Sequence, residues 1–257
     1  MTEESLIYGK NAIIEALENG EREFNKILIS SNSRTDVKIE QIKKLAQKRG
    51  VIFQFVAKEK LNAMVSEGNH QGVVAQISPI KYIDLDDFIE KNRGEKTPVV
   101  ILDGVEDSHN VGAIIRTCVC AGIKGIILPS RRGVLINSTV EKTSAGATNH
   151  ISIIKTNSLV NAVQRLKEND YWVIASDHHA EHNHYEIDYT DMNFALIMGA
   201  EHSGISKSLL KMADFRVKIP MLTNFNSLNV SNAAAIILFE YVTQESKKSV
   251  ENRKKGE

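Results

Sequence analysis

Two rhythms of apolar residues run along this chain. Short continuous runs suit buried strands, and positions spaced three and four apart suit amphipathic helices. Residues 9–18 place Ala12, Ile13, Ala16 and Leu17 at helical spacing, with Gly20 as a stop. Residues 26–30 (KILIS) predict a strand. A longer helix is predicted over 36–49, with Val37, Ile39, Ile42, Leu45 and Ala46 inward, lysines outward and Gly50 at its end. Residues 51–56 and 72–77 predict two more strands, and 58–65 a short helix between them. Together these make a small alternating α/β unit over residues 1–77.

Residues 78–96 change character. Pro79 precedes Asp84, Asp86, Asp87, Glu90 and the loop Asn92-Arg93-Gly94-Glu95, which predicts a linker holding one short helix. A second unit runs over 97–246, followed by a basic, frayed tail at 247–257. Its predicted strands are 98–102, 124–128, 171–176, 194–198 and 215–219, the last halted by Pro220. Its predicted helices are 113–121, 158–167 with Ser158 as N-cap, and 233–242, apolar on nearly every face and so expected to be buried. Residues 141–147 (EKTSAGA) are small and polar enough for close backbone approach. Strand and helix alternate throughout, which predicts a mostly parallel sheet covered on both faces.

Composition narrows the function. The formal net charge is +0, so no global basic field advertises nucleic acid. Basic residues cluster at Lys38/Lys43/Lys44/Lys48/Arg49, at Arg131-Arg132 and along the tail; a solvated face would explain any of them, and is the reading favoured for the tail. The start, MTEESLIYGK, lacks an apolar core of signal-peptide length, and no later run is long enough to span a bilayer. The expectation is a soluble, cytoplasmic protein with no membrane partner. Cys118 and Cys120 lie two apart on a predicted helix and point to opposite faces, so they cannot bridge or form a zinc pair. Both are expected to be buried small apolar residues.

Candidate chemistry gathers late in the chain. Gly199 ends an apolar strand, and Glu201 and His202 follow at its carboxyl end, where ligands bind in α/β sheets. The run TNFNSLNVSN at 223–232 is dense in hydroxyls and amides and leads into the 233–242 helix. Helix capping would account for Asn229 or Ser231 alone. A polar ligand site accounts for Glu201 and the amides together. Gly199 and Gly204 resemble a phosphate loop, but Ile205 stands where its lysine must be, which argues against an NTPase. No GxGxxG follows a strand, and Ser203 lies in no nucleophile elbow. The loop from Asp177 to His184 holds four histidines, and a metal site there would place His178 and His182 on one helical face. Lacking a further ligand cluster, it reads as solvated, and no metal is expected. Asn110 is a good N-cap for a helix beginning near Val111. Arg116 sits amid Ile114, Ile115, Cys118 and Val119 and needs a partner, either Glu201 or a ligand phosphate. That helix alone favours the internal ion pair.

Three segments together resemble the SpoU-type (TrmH) branch of the SPOUT RNA methyltransferases. They are LDGVEDSHNVGAIIRT at 102–117, ALIMGAEHSGIS at 195–206 and IPMLTNFNSLNVSNAAA at 219–235, and their order and spacing match across most of 97–245. The N-terminal unit resembles the small ribosomal-protein-like RNA-binding domain found ahead of this catalytic domain in rRNA guanosine methyltransferases. Two positions depart from the pattern: Ser108 replaces a usual proline, and Thr223 a usual glycine in the loop against the cofactor.

The resemblance implies methylation of a ribose 2′-hydroxyl in rRNA, on a large-subunit guanosine, with S-adenosyl-L-methionine as methyl donor. It implies a parallel sheet ending in a deep trefoil knot, an exception to the rule against knots, and a homodimer. By motif match, Gly199, Ile219 and Leu228 would contact the cofactor, largely through backbone. Asn110, Arg116, Glu201, Ser227 and Asn229 would form the catalytic cluster. A guanidinium is not readily deprotonated, so Arg116 is expected to clamp the phosphate beside the target ribose. Glu201 would then hold Arg116 and Asn110 in register, while Ser227 and Asn229 orient substrate and loop. Competing readings are a tRNA ribose methyltransferase, a non-catalytic RNA-binding or assembly factor on the same fold, and a metal-dependent hydrolase built on the histidine loop.

Overall fold

A computed structural model describes residues 5–19, 23–33, 36–65, 69–78, 80–131, 133–223 and 227–255. Gly20, Pro79, Arg132, Asn224, Phe225 and Asn226 lie outside them. In chain order the elements are β1 (Ser5–Tyr8), α1 (Lys10–Asn19), β2 (Phe24–Ser30), α2 (Val37–Lys48), β3 (Phe53–Val56), α3 (Lys58–Met64) and β4 (Val73–Ile77). Next come α4 (Leu85–Lys91), β5 (Val99–Asp103), α5 (Ser108–Cys120), β6 (Gly125–Pro129), α6 (Ser138–Thr143), β7 (Ser152–Thr156) and α7 (Leu159–Lys167). The chain closes with β8 (Tyr171–Ser176), β9 (His182–Asn183), β10 (Asn193–Gly199), α8 (Lys207–Leu210), β11 (Phe215–Lys218) and α9 (Val230–Lys255). Contacts divide these into two compact units, Met1–Lys81 with Leu135–His150, and Tyr82–Val134 with Ile151–Glu257.

The first unit is built on a four-stranded sheet of order β1-β4-β2-β3. β4 runs antiparallel to both β1 and β2, and β3 parallel to β2. The apolar stripe of α1 (Ala12, Ile13, Ala16, Leu17) and that of α2 (Ile39, Ile42, Ala46) close over Ile27, Ile29, Val73 and Ala75. Val37, expected inward, is 85% exposed. It opens α2 directly after the cap Asp36 and lies about 200° around the axis from Ile39, on the outer side. β1 is an unforeseen strand, a four-residue edge too short to announce itself by pattern.

The second unit carries the seven-stranded sheet, order β7-β6-β5-β10-β8-β11-β9, with all neighbouring strands parallel. This is the predicted parallel α/β architecture. α4, α7 and α8 bury Phe88, Val163, Leu166 and Leu209 against Val99, Ile101, Val173 and Ile197. Alternation along the strands turns Val100 and Leu102 to the opposite face, also fully buried. There α5 and α9 pack on each other, and α9 on β10.

Several expectations need correction. α5 starts at Ser108, five residues before the predicted 113, because Asp107 caps it. Cys120 is exposed while Cys118 is buried, as two residues on opposite sides of one helix must be. α9 continues through the tail expected to fray, to Lys255. It is not buried all round either: Ile236 and Phe239 are 38% and 46% exposed. His178 and His182 share no helix; the first lies in a turn and the second in β9. Among the described residues, no His/Cys/Asp/Glu cluster has the grouping of a metal site. No helix there is long and apolar enough to cross a membrane.

Candidate active site

The site forms at the carboxyl ends of β5, β10, β8 and β11, where a parallel sheet leaves its crevice. β10 ends at Gly199, and the turn after it folds back on the strand. A Cβ on Gly199 would sit 2.3 Å from the carbonyl carbon of Gly204, so only glycine fits. Gly204 donates its N–H to Ala200 O at 2.8 Å and holds φ at +64°. Asp103, at the end of neighbouring β5, pins the far side of the turn by accepting Ser206 N–H at 2.7 Å. The fixed turn presents Glu201 to solvent.

Two amides converge on that carboxylate. Asn110 Nδ2 donates to Glu201 Oε1 at 3.1 Å, and Asn229 Nδ2 donates to the same oxygen at 2.7 Å. Asn229 Nδ2 also donates to Asn110 Oδ1 at 2.9 Å, closing a three-residue ring of hydrogen bonds. Asn110 is free for this because capping falls to Asp107, whose carboxylate accepts the N–H groups of His109 and Asn110. Asn110 therefore sits in the first turn of α5, not at its cap. Asn229 does serve as a cap: its Oδ1 accepts Ser231 N–H at 2.9 Å at the start of α9. Glu201 Oε2 has no hydrogen-bond partner among the described residues.

Beside the ring lies a cavity of about 570 Å³, within the usual range of ligand pockets. Gly199, Glu201, Ile219, Ser227 and Leu228 line it, with the basic side chains of Lys207, Arg216 and Lys218. Seven of the eight sequence-derived residues thus lie on the cavity or in the ring that meets it at Glu201. Arg116 is the exception. It is exposed and forms no ion pair or hydrogen bond with a described residue, so the expected Arg116–Glu201 pair is absent. Arg116 lies six residues beyond Asn110, about 9 Å along α5 and about 120° around it, on a different face.

Three contributors went unread in the sequence: Asp103, Asp107 and the Asp177–Arg216 pair. Asp103 is an acid closing an apolar strand, and Asp107 precedes the helix by the spacing of a cap, so both carried a local signal. Asp177 and Arg216 are brought together only by the pairing of β8 with β11.

Residues 97–239 match the model of the SpoU rRNA Methylase family, and residues 6–83 the model for RNA 2′-O ribose methyltransferase substrate binding. A Staphylococcus saprophyticus protein named as a TrmH family tRNA/rRNA methyltransferase is 38% identical over 240 residues, 93% of this chain and 95% of that one. A Bacillus subtilis protein of the same naming is 36% identical over 236 residues, 91% and 93% of the two chains. Among solved structures, an AdoMet-bound rRNA methyltransferase from Sinorhizobium meliloti superposes with a TM-score of 0.78 at 26% identity, covering 94% of this chain and 88% of that one.

Proposed function

The chain belongs to the SpoU rRNA methylase family, and from that premise we propose that it methylates a ribose 2′-hydroxyl of rRNA, on a large-subunit guanosine, in the cytoplasm. The carrying observation is that Glu201, held by Asn110 and Asn229, also lines the cavity beside it.

The residues present suit S-adenosylmethionine. The cavity has the volume for it, Gly199, Ile219 and Leu228 line it, and the Glu201 carboxylate beside them favours a cationic sulfonium. Bound there, the cofactor supplies an electrophilic methyl group. Gly199, Ile219 and Leu228 would hold it, chiefly through backbone. Glu201 Oε2, left open by the two amides, would accept a hydrogen bond from the substrate, and Ser227 and Asn229 would set the angle of the ribose. Arg116 takes the role of phosphate clamp: exposed and paired with no described residue, its planar fork is open to RNA.

The RNA is gripped by residues 1–77, ahead of a linker at 78–96 and a catalytic domain at 97–246, of which Leu135–His150 group with the first compact unit. The catalytic domain carries the deep trefoil knot in this reading and works as a homodimer, supported by the exposed Ile236 and Phe239 on one side of α9. Purified protein given tritiated S-adenosylmethionine and separate pools of rRNA and tRNA tests the assignment. Label in the large-subunit rRNA is expected; label in tRNA alone would replace the substrate.

A further inference from the structure

The end of β8 contributes Ser176, and the turn after it Asp177, His178 and His179, to the cavity lining. Asp177 follows that strand directly, and its side chain is only 9% exposed. Its backbone N–H donates to Val217 O on β11 at 2.9 Å. Its carboxylate accepts Arg216 Nε at 3.1 Å, a second bond from Arg216 Nη2, and the N–H of His179 at 3.0 Å. Ala180 N–H returns to Asp177 O at 2.9 Å. Every one of these bonds fixes the same tight turn, which sets the His178 and His179 rings side by side, centroids 3.8 Å apart and planes tilted by 41°.

A guanidinium fork and a nearly buried carboxylate make an unusually firm anchor for a turn. The turn carries no apolar side chain into the core except Ala180. What it presents is two flat rings on the wall of the cavity. Among the described lining residues there is no Phe, Tyr or Trp; the only aromatic rings are the imidazoles of His178, His179 and His202. His202 follows Glu201 on the turn after β10. Adenine is the flat, aromatic part of S-adenosylmethionine and gains most from stacking on a ring.

We propose that the paired imidazoles of His178 and His179 receive the adenine of the cofactor on one ring face, and that the Asp177–Arg216 pair is the positioning device that holds them at the cavity wall. This rests on the reading of the cavity as the cofactor site. It adds a side-chain determinant of nucleoside affinity to a pocket otherwise contacted through backbone.

Calorimetric titration of the full chain with S-adenosylhomocysteine and with 5′-methylthioadenosine, which lacks the amino-acid end, tests it. The double variant His178→Ala/His179→Ala is expected to bind both ligands about tenfold more weakly, with the same melting temperature and RNA affinity. Arg216→Ala is expected to weaken both ligands as well, and Arg216→Lys less so, since one donor is kept. Binding of both ligands by the double variant within about twofold of wild type would overturn the proposal. So would a loss confined to S-adenosylhomocysteine, which would place the rings at the amino-acid end. Failure of the wild-type protein to bind either ligand would remove the cofactor reading itself, and this inference with it.

Discussion

Asn229 joins Glu201 through its amide nitrogen, at 2.7 Å, while its carbonyl oxygen caps α9 through Ser231. One side chain therefore fixes both the helix start and the carboxylate of the site, and the two roles can be separated by substitution. Asn229→Ala removes both, costing about 1 kcal/mol of stability and on the order of 10²-fold in turnover. Asn229→Ser restores a cap oxygen but not the amide donor. It is expected to melt near wild type while turnover stays low. Thermal unfolding beside single-turnover kinetics checks the pair; full activity in Asn229→Ser would deny the amide any part in the chemistry.

Gly199 tolerates no side chain, because a Cβ would collide with the backbone of Gly204. Gly199→Ala must displace the turn, at roughly 1–3 kcal/mol. Loss of S-adenosylhomocysteine binding is expected, with RNA binding by the N-terminal unit kept. Calorimetry with each ligand reads this directly.

Arg116 without an internal carboxylate is a guanidinium held out for something else. Arg116→Lys keeps the charge and loses the fork. Turnover is expected to fall about tenfold or more, with cofactor affinity unchanged. Near-normal turnover with unchanged RNA affinity would dismiss the phosphate clamp.

His70 gives the first unit a pH dependence. Burial, with Lys58 and Lys142 nearby, lowers its pKa below the ordinary 6.5. Its Nδ1 accepts Gly72 N–H at 2.9 Å and its Nε2 meets Asn62 Oδ1 at 2.8 Å, so the neutral ring is the one that fits. The unfolded chain takes up the proton first as pH falls. Stability is therefore full above 6.5 and declines below it, down to the folded pKa. Thermal unfolding across this window should show the decline, and His70→Gln should flatten it.

Phe239 and Ile236 stand exposed one turn apart on α9. Phe239→Asp is expected to convert a dimer to monomers in light scattering after gel filtration, and to lower methyl transfer. A wild-type monomer at micromolar concentration would contradict the homodimer.

Much of this architecture was legible because buried parallel strands write themselves as unbroken apolar runs: 98–102, 171–176 and 194–198 fall on β5, β8 and β10 within a residue or two. Three of the four edge strands did not. β1 and β9 are four and two residues long and carry no period, and β7 (Ser152–Thr156) turns polar after two isoleucines; only the edge strand β3 falls on a predicted run, 51–56. The residues of the site were readable as types in place, Glu201 just past the end of β10 and Asn229 just before α9. The wiring was not, since a cap at Asn110 and a cap at Asp107 look alike until the helix start is known. The internal Arg116–Glu201 pair, favoured by that helix alone, does not form, because apolar neighbours in sequence do not force a partner on a side chain that points from the exposed face of its helix.

Nucleoside mass spectrometry of RNA treated with wild-type protein and S-adenosylmethionine, set beside Glu201→Ala, tests the central claim most directly. The account expects a single ribose-methylated guanosine in large-subunit rRNA with the wild type and its loss, on the order of 10²-fold or more, in the variant. A methyl group on a base, or equal ribose methylation by Glu201→Ala, would contradict it.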